Sequence, residues 1–360
     1  MVPTLQAGES VLVGYGEQEI ERFDLVVLRR PSEKRPKVKR VVGLPGESVQ
    51  LVNGDLVVNG DRLSLQTPRP PLVAVYDDSV DPVEEWFQMG STQMDPWKKT
   101  AEGWLLEAKG VAKGAAAGTM FFAKRLTAGH ISGDAEAGPG GASTADCVLS
   151  CDVRLGEQPA ELNFILREQG DTFRAELRPT GSGTMNAQIL QRWKGGEELL
   201  LAEGELLLSA EGWSTLRFGN IDNSIFFEVS VSGRSPQILV AQYTANHLDP
   251  SDRLATGETY GHRLGLGGAA GEAEFRSIKV FRDHHYTRRG AYGSTEPVRL
   301  GPHEYFLLGD NSPESRDGRD WGPSSEAEIL GRPLWVVSPF DALRSLRTGR
   351  TGLLTSSAPL

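Results

Sequence analysis

Lys39 is flanked by Val38 on one side and, one residue on, by Val41-Val42. A lysine amine accepts a proton near neutral pH only where apolar burial lowers its pKa, so a lysine among valines is a candidate general base. Strand alternation puts Lys39 and Val41 on one face and Val38 and Val42 on the other. The same lysine also lies in a basic run from Arg29 to Arg40, and composition alone favours one more solvated charge. Far downstream, Gly309-Asp310-Asn311-Ser312-Pro313-Glu314-Ser315-Arg316-Asp317-Gly318-Arg319-Asp320-Trp321-Gly322 gathers carboxylates, hydroxyls and guanidinium groups. Ser315 could orient an amine, or could be an ordinary turn serine beside Pro313. The first serine of the chain, Ser10, belongs to no nucleophile motif.

The first of these segments, Lys37-Val38-Lys39-Arg40-Val41-Val42-Gly43-Leu44-Pro45-Gly46-Glu47, and the downstream segment resemble the two signature boxes around the general-base lysine of bacterial type I signal peptidases. Met1-Val2-Pro3-Thr4-Leu5 resembles the rest of that family's nucleophile box, Ser-Met-x-Pro-Thr-Leu. The resemblance implies a Ser/Lys variant of triad logic, with Lys39 as the base and Ser315 as the hydroxyl that orients its amine. It implies that Asp310 and Asn311 form a tight turn and that Asp317 and Arg319 form an ion pair of the scaffold. Gly318 stands where the family more often has serine. The nucleophilic serine would directly precede Met1, and the oxyanion hole would use its N–H and a hydroxyl on its N-terminal side. The chain as written is therefore expected to be inactive, or to be a fragment of an active enzyme whose start was placed on the Met of Ser-Met. Substrates would bind as an added strand, with small pockets for the first and third residues before the cut. Met1, Pro3, Leu5 and Val38 are candidates to line those pockets, and core packing accounts for them equally well.

No cofactor or metal is expected. The six histidines are dispersed apart from His284-His285, and no spacing suits zinc. Asp222, Asn223 and Asp249 could hold calcium or a sugar, but they form no dense acidic loop.

These residues need strands to position them. The expectation is an all-β chain: a signal-peptidase-type core of residues 1–68 and 296–340, interrupted at 69–295 by a jelly-roll-like β-sandwich, and a frayed tail over 341–360. In the core, Ser10–Val13, Phe23–Leu28, Val38–Val42, Ser48–Val52 and Leu56–Val58 read as strands, with Asn53-Gly54 and Asn59-Gly60 as hairpin turns. Pro68-Arg69-Pro70-Pro71 marks a boundary, residues 72–100 read as irregular packing, and 128–145 as a Gly/Ala/Ser linker. From about Asp146, alternating segments recur every 8–12 residues, the pattern of a sandwich. Gly212–Phe218, Leu264–Gly268 and Ala273–Val280 are similar to laminin-G and concanavalin-like jelly rolls, a likeness of fold rather than function. Cys147 and Cys151 on one strand would lie about 13 Å apart, too far for a disulfide.

A net charge of −10 argues against a general nucleic-acid binder. The sequence has no apolar run of about 20 residues and no signal peptide. The resemblance places the full-length protein at the cytoplasmic membrane, held by an N-terminal anchor with its catalytic part outside, cutting signal peptides from exported preproteins. The insert's candidate ligands are a glycan or a protein. One rival is an inactive peptidase scaffold displaying a lectin-like domain. Another, a self-cleaving Ser/Lys repressor, lacks the expected helix-turn-helix.

Overall fold

The computed structural model describes residues 1, 4–16, 19–31, 33–52, 54–63, 72–81, 83, 87–89, 96–108, 118–122, 126, 146–168, 170–181, 183–193, 196–244, 264–339 and 343–346. The fold is all-β, with a helical turn at Gly318–Trp321 and a 3₁₀ turn at Glu326–Glu328. The chain divides into two compact units. The first comprises Met1–Val73, Thr127–Thr144 and His284–Leu360; the second comprises Ala74–Leu126 and Ala145–Asp283.

In the first unit the main sheet runs in the order Ser10–Gly14, Ile329–Ser338, Leu25–Leu28, Lys37–Gly43, Glu304–Leu308, Ser324–Ser325. Every pairing is antiparallel. The central Lys37–Gly43 strand is covered on both faces. Val41 packs with Val26, Leu28, Tyr305 and Leu307. Val42 packs with Phe23, Val49, Phe306 and Leu308. A strand between two apolar layers sends alternate side chains into each, so Lys39 shares the face of Val41. A smaller sheet orders Val298–Arg299, Ser48–Val52, Asp55–Val58 and Asp61–Arg62. Asn59 and Gly60 both take positive φ (54° and 93°) between the last two strands, as a two-residue hairpin turn requires.

The second unit is a sandwich of two antiparallel sheets. One carries Cys147–Leu155, Ser214–Ile221, Ser224–Val231, Gln237–Gln242 and Glu272–Arg282; the other carries Thr119–Phe122, Glu161–Glu168, Asp171–Pro179, Thr184–Trp193, Glu198–Leu207 and Leu264–Ala269. The chain crosses repeatedly between them. Phe164, Phe173, Phe218, Phe227 and Phe275 form the aromatic part of the core. Asp222 and Asn223 make the turn of the 214–231 hairpin, with φ of 48° and 60°. Both cysteines are free and buried on one strand.

Two readings of the sequence need correction. Residues 72–100 are not simply irregular: Val73–Asp77, Phe87–Met89 and Trp97–Lys99 are strands, and the Trp97 ring lies 5.1 Å from that of Phe275. Within the expected tail, Arg344–Ser345 pairs with Trp335-Val336. The boundary at 68–71, the linker over 128–145, Pro3 and Asp249 lie outside the described residues.

Candidate active site

Lys39 stands across from Val26 in the sheet, two residues before Val41 on the same face. It is only 8% exposed. Its amine donates to Ser315 Oγ at 2.7 Å. Burial lowers the Lys39 pKa; Asp317 and, more weakly, Asp310 oppose the shift, while Lys37 and Arg319 reinforce it. The amine lies near carboxylates but forms no ion pair of its own among the described residues. Its one hydrogen-bond partner among them is a neutral hydroxyl, which stabilises an ammonium less than a carboxylate does.

The two other cations nearby are treated differently. Arg319 grips Asp317 through Nε–Oδ1 (2.9 Å) and Nη2–Oδ2 (2.7 Å), with both side chains fully buried. Its remaining N–H groups reach Thr287 O, Thr287 Oγ1, Ser312 Oγ and Ser312 O. Asp317 in turn caps the Gly318–Trp321 turn and accepts the Gly309 N–H at 3.0 Å. Burial opposes its ionised form, but Arg319 and hydrogen bonds, including one from the Ser315 side, hold its pKa low. Arg40 grips Asp310 in the same two-pronged manner, at 2.8 and 2.7 Å, and donates to Phe23 O. The Thr4 hydroxyl makes a short hydrogen bond to Asp310. Burial raises the Asp310 pKa, yet the charge and hydrogen bonds of Arg40 outweigh it and bring the group to about 2.

Gly309 explains how Lys39 and Ser315 meet. A Cβ there would sit 2.0 Å from Ser315 Oγ and 3.0 Å from Lys39 Nζ. The serine is presented by a turn in which the Asn311 carbonyl accepts the N–H groups of Glu314 and Ser315. The Asn311 amide itself donates to Glu314 at 2.9 Å. At the other end of the unit's sequence, the Met1 α-amino group is half-buried. Burial lowers its pKa, with Asp310 opposing and Lys39 adding to the shift. Leu5 is buried, its N–H donating to Met1 O at 3.0 Å, and Val38 is half-buried opposite Val27.

Of the residues singled out in the sequence, Lys39, Ser315, Asp310, Asn311, Asp317 and Arg319 therefore fall in one neighbourhood. Arg40, Thr4, Gly309, Thr287 and Ser312 were missed. Arg40 was hidden in the basic run, although its position next to Lys39 in an alternating strand already placed it on the opposite face.

A sequence model of the family described as "Signal peptidase, peptidase S26" matches residues 1–116 and 264–338, just over half of the chain. The chain belongs to this family. Among its signal peptidase relatives, "Signal peptidase I" of Bacillus amyloliquefaciens is 39% identical over 67 residues, covering 18% of this chain and 35% of the relative. "Signal peptidase I P" of Bacillus subtilis subsp. natto is 28% identical over 108 residues, covering 26% and 58%. The chain thus spans less than two thirds of the length of either. A carbohydrate binding module, CBM66, from Bacillus subtilis is similar at 11% identity and TM-score 0.32, over 54% of this chain and 94% of that one. No helix among the described residues is long and apolar enough to cross a membrane.

Proposed function

We propose that this signal peptidase family member is a Ser/Lys endopeptidase that removes signal peptides from exported preproteins. Lys39 is the general base and Ser315 orients its amine. The observation that carries the reading is the buried Lys39 amine with its lowered pKa and its 2.7 Å hydrogen bond to a neutral hydroxyl. A neutral amine keeps two N–H donors and one lone pair; with one N–H engaged by Ser315, the lone pair is free to take the nucleophile's proton. The nucleophile is a serine at the position directly before Met1. The likeness of Met1-Val2-Pro3-Thr4-Leu5 to the family's nucleophile box supports that placement.

Asp317–Arg319 and Arg40–Asp310 act as scaffold, holding the turn that carries Ser315 and the segment that carries Thr4. The peptidase core comprises residues 1–68 and 296–340, and 69–295 is an inserted domain. The substrate adds as a strand, with small residues at the first and third positions before the cut, against pockets formed by Met1, Pro3, Leu5 and Val38. Catalysis occurs on the outer side of the cytoplasmic membrane, with attachment through a segment preceding the nucleophile.

The test uses the protein isolated from its source membranes, its N-terminus determined by intact mass, with a preprotein bearing alanine at the first and third positions. The Lys39→Met variant is expected to lose at least a thousandfold in cleavage rate, while Asp317→Asn, if folded, retains measurable activity. Undiminished cleavage by Lys39→Met would overturn the reading. So would a native N-terminus with no serine before Met1, which would favour a non-catalytic binding protein.

A further inference from the structure

Lys39 is the second lysine of its strand. Lys37 precedes it by two residues, so alternation puts both side chains on one face, their Cα atoms about 7 Å apart. Their cross-strand partners are Leu28 and Val26. The layer on this face is apolar: Val26, Leu28, Val41, Tyr305 and Leu307, with Trp321 packed against them. The Lys37 ammonium lies over the Trp321 ring, 5.3 Å from its centroid, and the Arg30 guanidinium lies over the same ring at 4.7 Å. Trp321 ends the helical turn that Asp317 caps, so the ring that steadies Lys37 follows directly on the segment that carries Ser315.

The charge over that ring is positive in sum. Lys37 pairs with Glu33 at 2.6 Å, and the two side chains are 36% and 23% exposed. Arg30 has no carboxylate partner among the described residues. One carboxylate therefore serves two cations, whereas Arg40 and Arg319 deeper in the unit each hold an aspartate of their own. Like charges disfavour each other's protonated forms, and apolar side chains transmit the repulsion better than water does. The Lys37 charge thus acts on Lys39 in the same direction as burial. The other charged groups that reach the Lys39 amine are Asp317, Arg319 and Asp310 from the downstream turn and the Met1 α-amino group, while His284 acts on Asp310. The Leu25–Leu28 strand brings only apolar side chains.

We propose that Lys37 is a positioning residue for the peptidase reaction, a second cation set on the base's own face of the strand to disfavour a proton on Lys39, with Glu33 as the carboxylate that moderates it. The proposal rests on the reading of Lys39 as general base. Its test titrates the Lys39 amine directly, by NMR of the full chain carrying isotope-labelled lysine, with the Lys39 signal assigned by its absence from Lys39→Met. Lys37→Met is expected to move the Lys39 midpoint to higher pH, Lys37→Arg to keep it near the wild-type position, and Glu33→Gln to move it lower. The differences should shrink in high salt, because Lys37 is partly exposed. In the preprotein assay, Lys37→Met should displace the acidic limb of kcat/KM in the same direction, slowing cleavage about threefold below the midpoint of that limb, with the loss fading as pH rises. An unmoved Lys39 midpoint in Lys37→Met, or a rate loss equal at every pH, would overturn the proposal and leave Lys37 as a surface charge. A wild-type Lys39 that titrates like a free lysine would refute the general base and the proposal with it, an outcome read before any variant is compared.

Discussion

The two units bury polar groups in opposite ways. In the first, charge sits at the centre of the sheet: Arg40–Asp310 and Arg319–Asp317 are dry, two-pronged ion pairs on either side of a lysine given only a hydroxyl. In the second, the interior is aromatic and aliphatic, and a buried polar network lies near strand ends, where Asn220 donates to Glu168 and to Tyr243 Oη. A buried ion pair adds little net stability over apolar packing, but removing one partner is severely destabilising. The first unit is thus organised for position, with matched carboxylates on the arginines leaving none to hold Lys39 charged. The second is organised for cohesion.

The sharpest way to break this contrast is truncation. Arg319→Ala should destabilise the first unit by about 3–5 kcal/mol, because Asp317 is left buried and unpaired. Phe218→Ala should cost the second a similar amount, about 3–5 kcal/mol, by opening a cavity. Denaturant unfolding should show each variant shifting a different transition, and a shared shift would refute independent cores. Acid should separate the units next. Asp310, held at about 2, contributes stability that is complete above its unfolded value and is lost as pH falls from about 4 through 2. The loss is about 2 kcal/mol and should vanish in Asp310→Asn, as read by acid titration of folding. Burial raises the Asp78 and Glu228 pKa values in the second unit, so these groups add stability as pH falls. Asp24 in the first and Asp77 in the second run against these trends.

Lys39→Met tests the lysine itself. A lowered folded pKa means the unfolded chain binds the proton more readily between that value and 10.5, so wild-type stability rises with pH across this window. The variant should lack that rise and be more stable near neutrality by about 1 kcal/mol, seen as a higher Tm. The smallest effect belongs to Lys98→Ala, which removes an exposed ion pair with Glu107 and should change stability by less than about 0.5 kcal/mol.

Much of the first unit was legible because its signals are local. The valines around Lys39 gave the strand, and Asn59-Gly60 gave the turn. Lys39 and Ser315, 276 residues apart, could be associated only through resemblance, since spacing says nothing about such a pair. Arg40–Asp310 escaped for a physical reason: its specificity lies in a two-pronged geometry between residues distant in sequence. In the second unit, alternation revealed the 171–193 hairpin, where every second residue faces the core. Glu198–Leu207 was invisible because an edge strand with exposed Leu199 and Leu200 does not alternate.

Arg344 donates to both Glu9 oxygens and to Thr4 O, and Ser10–Gly14 pairs with Ile329–Ser338. The opening residues of the first unit are thus completed by residues more than 300 positions later. The segment that carries Thr4 and Leu5 is made first, yet the residues that complete it follow the whole of the second unit in sequence. The site next to Lys39 can therefore be assembled only after the second unit has been synthesised.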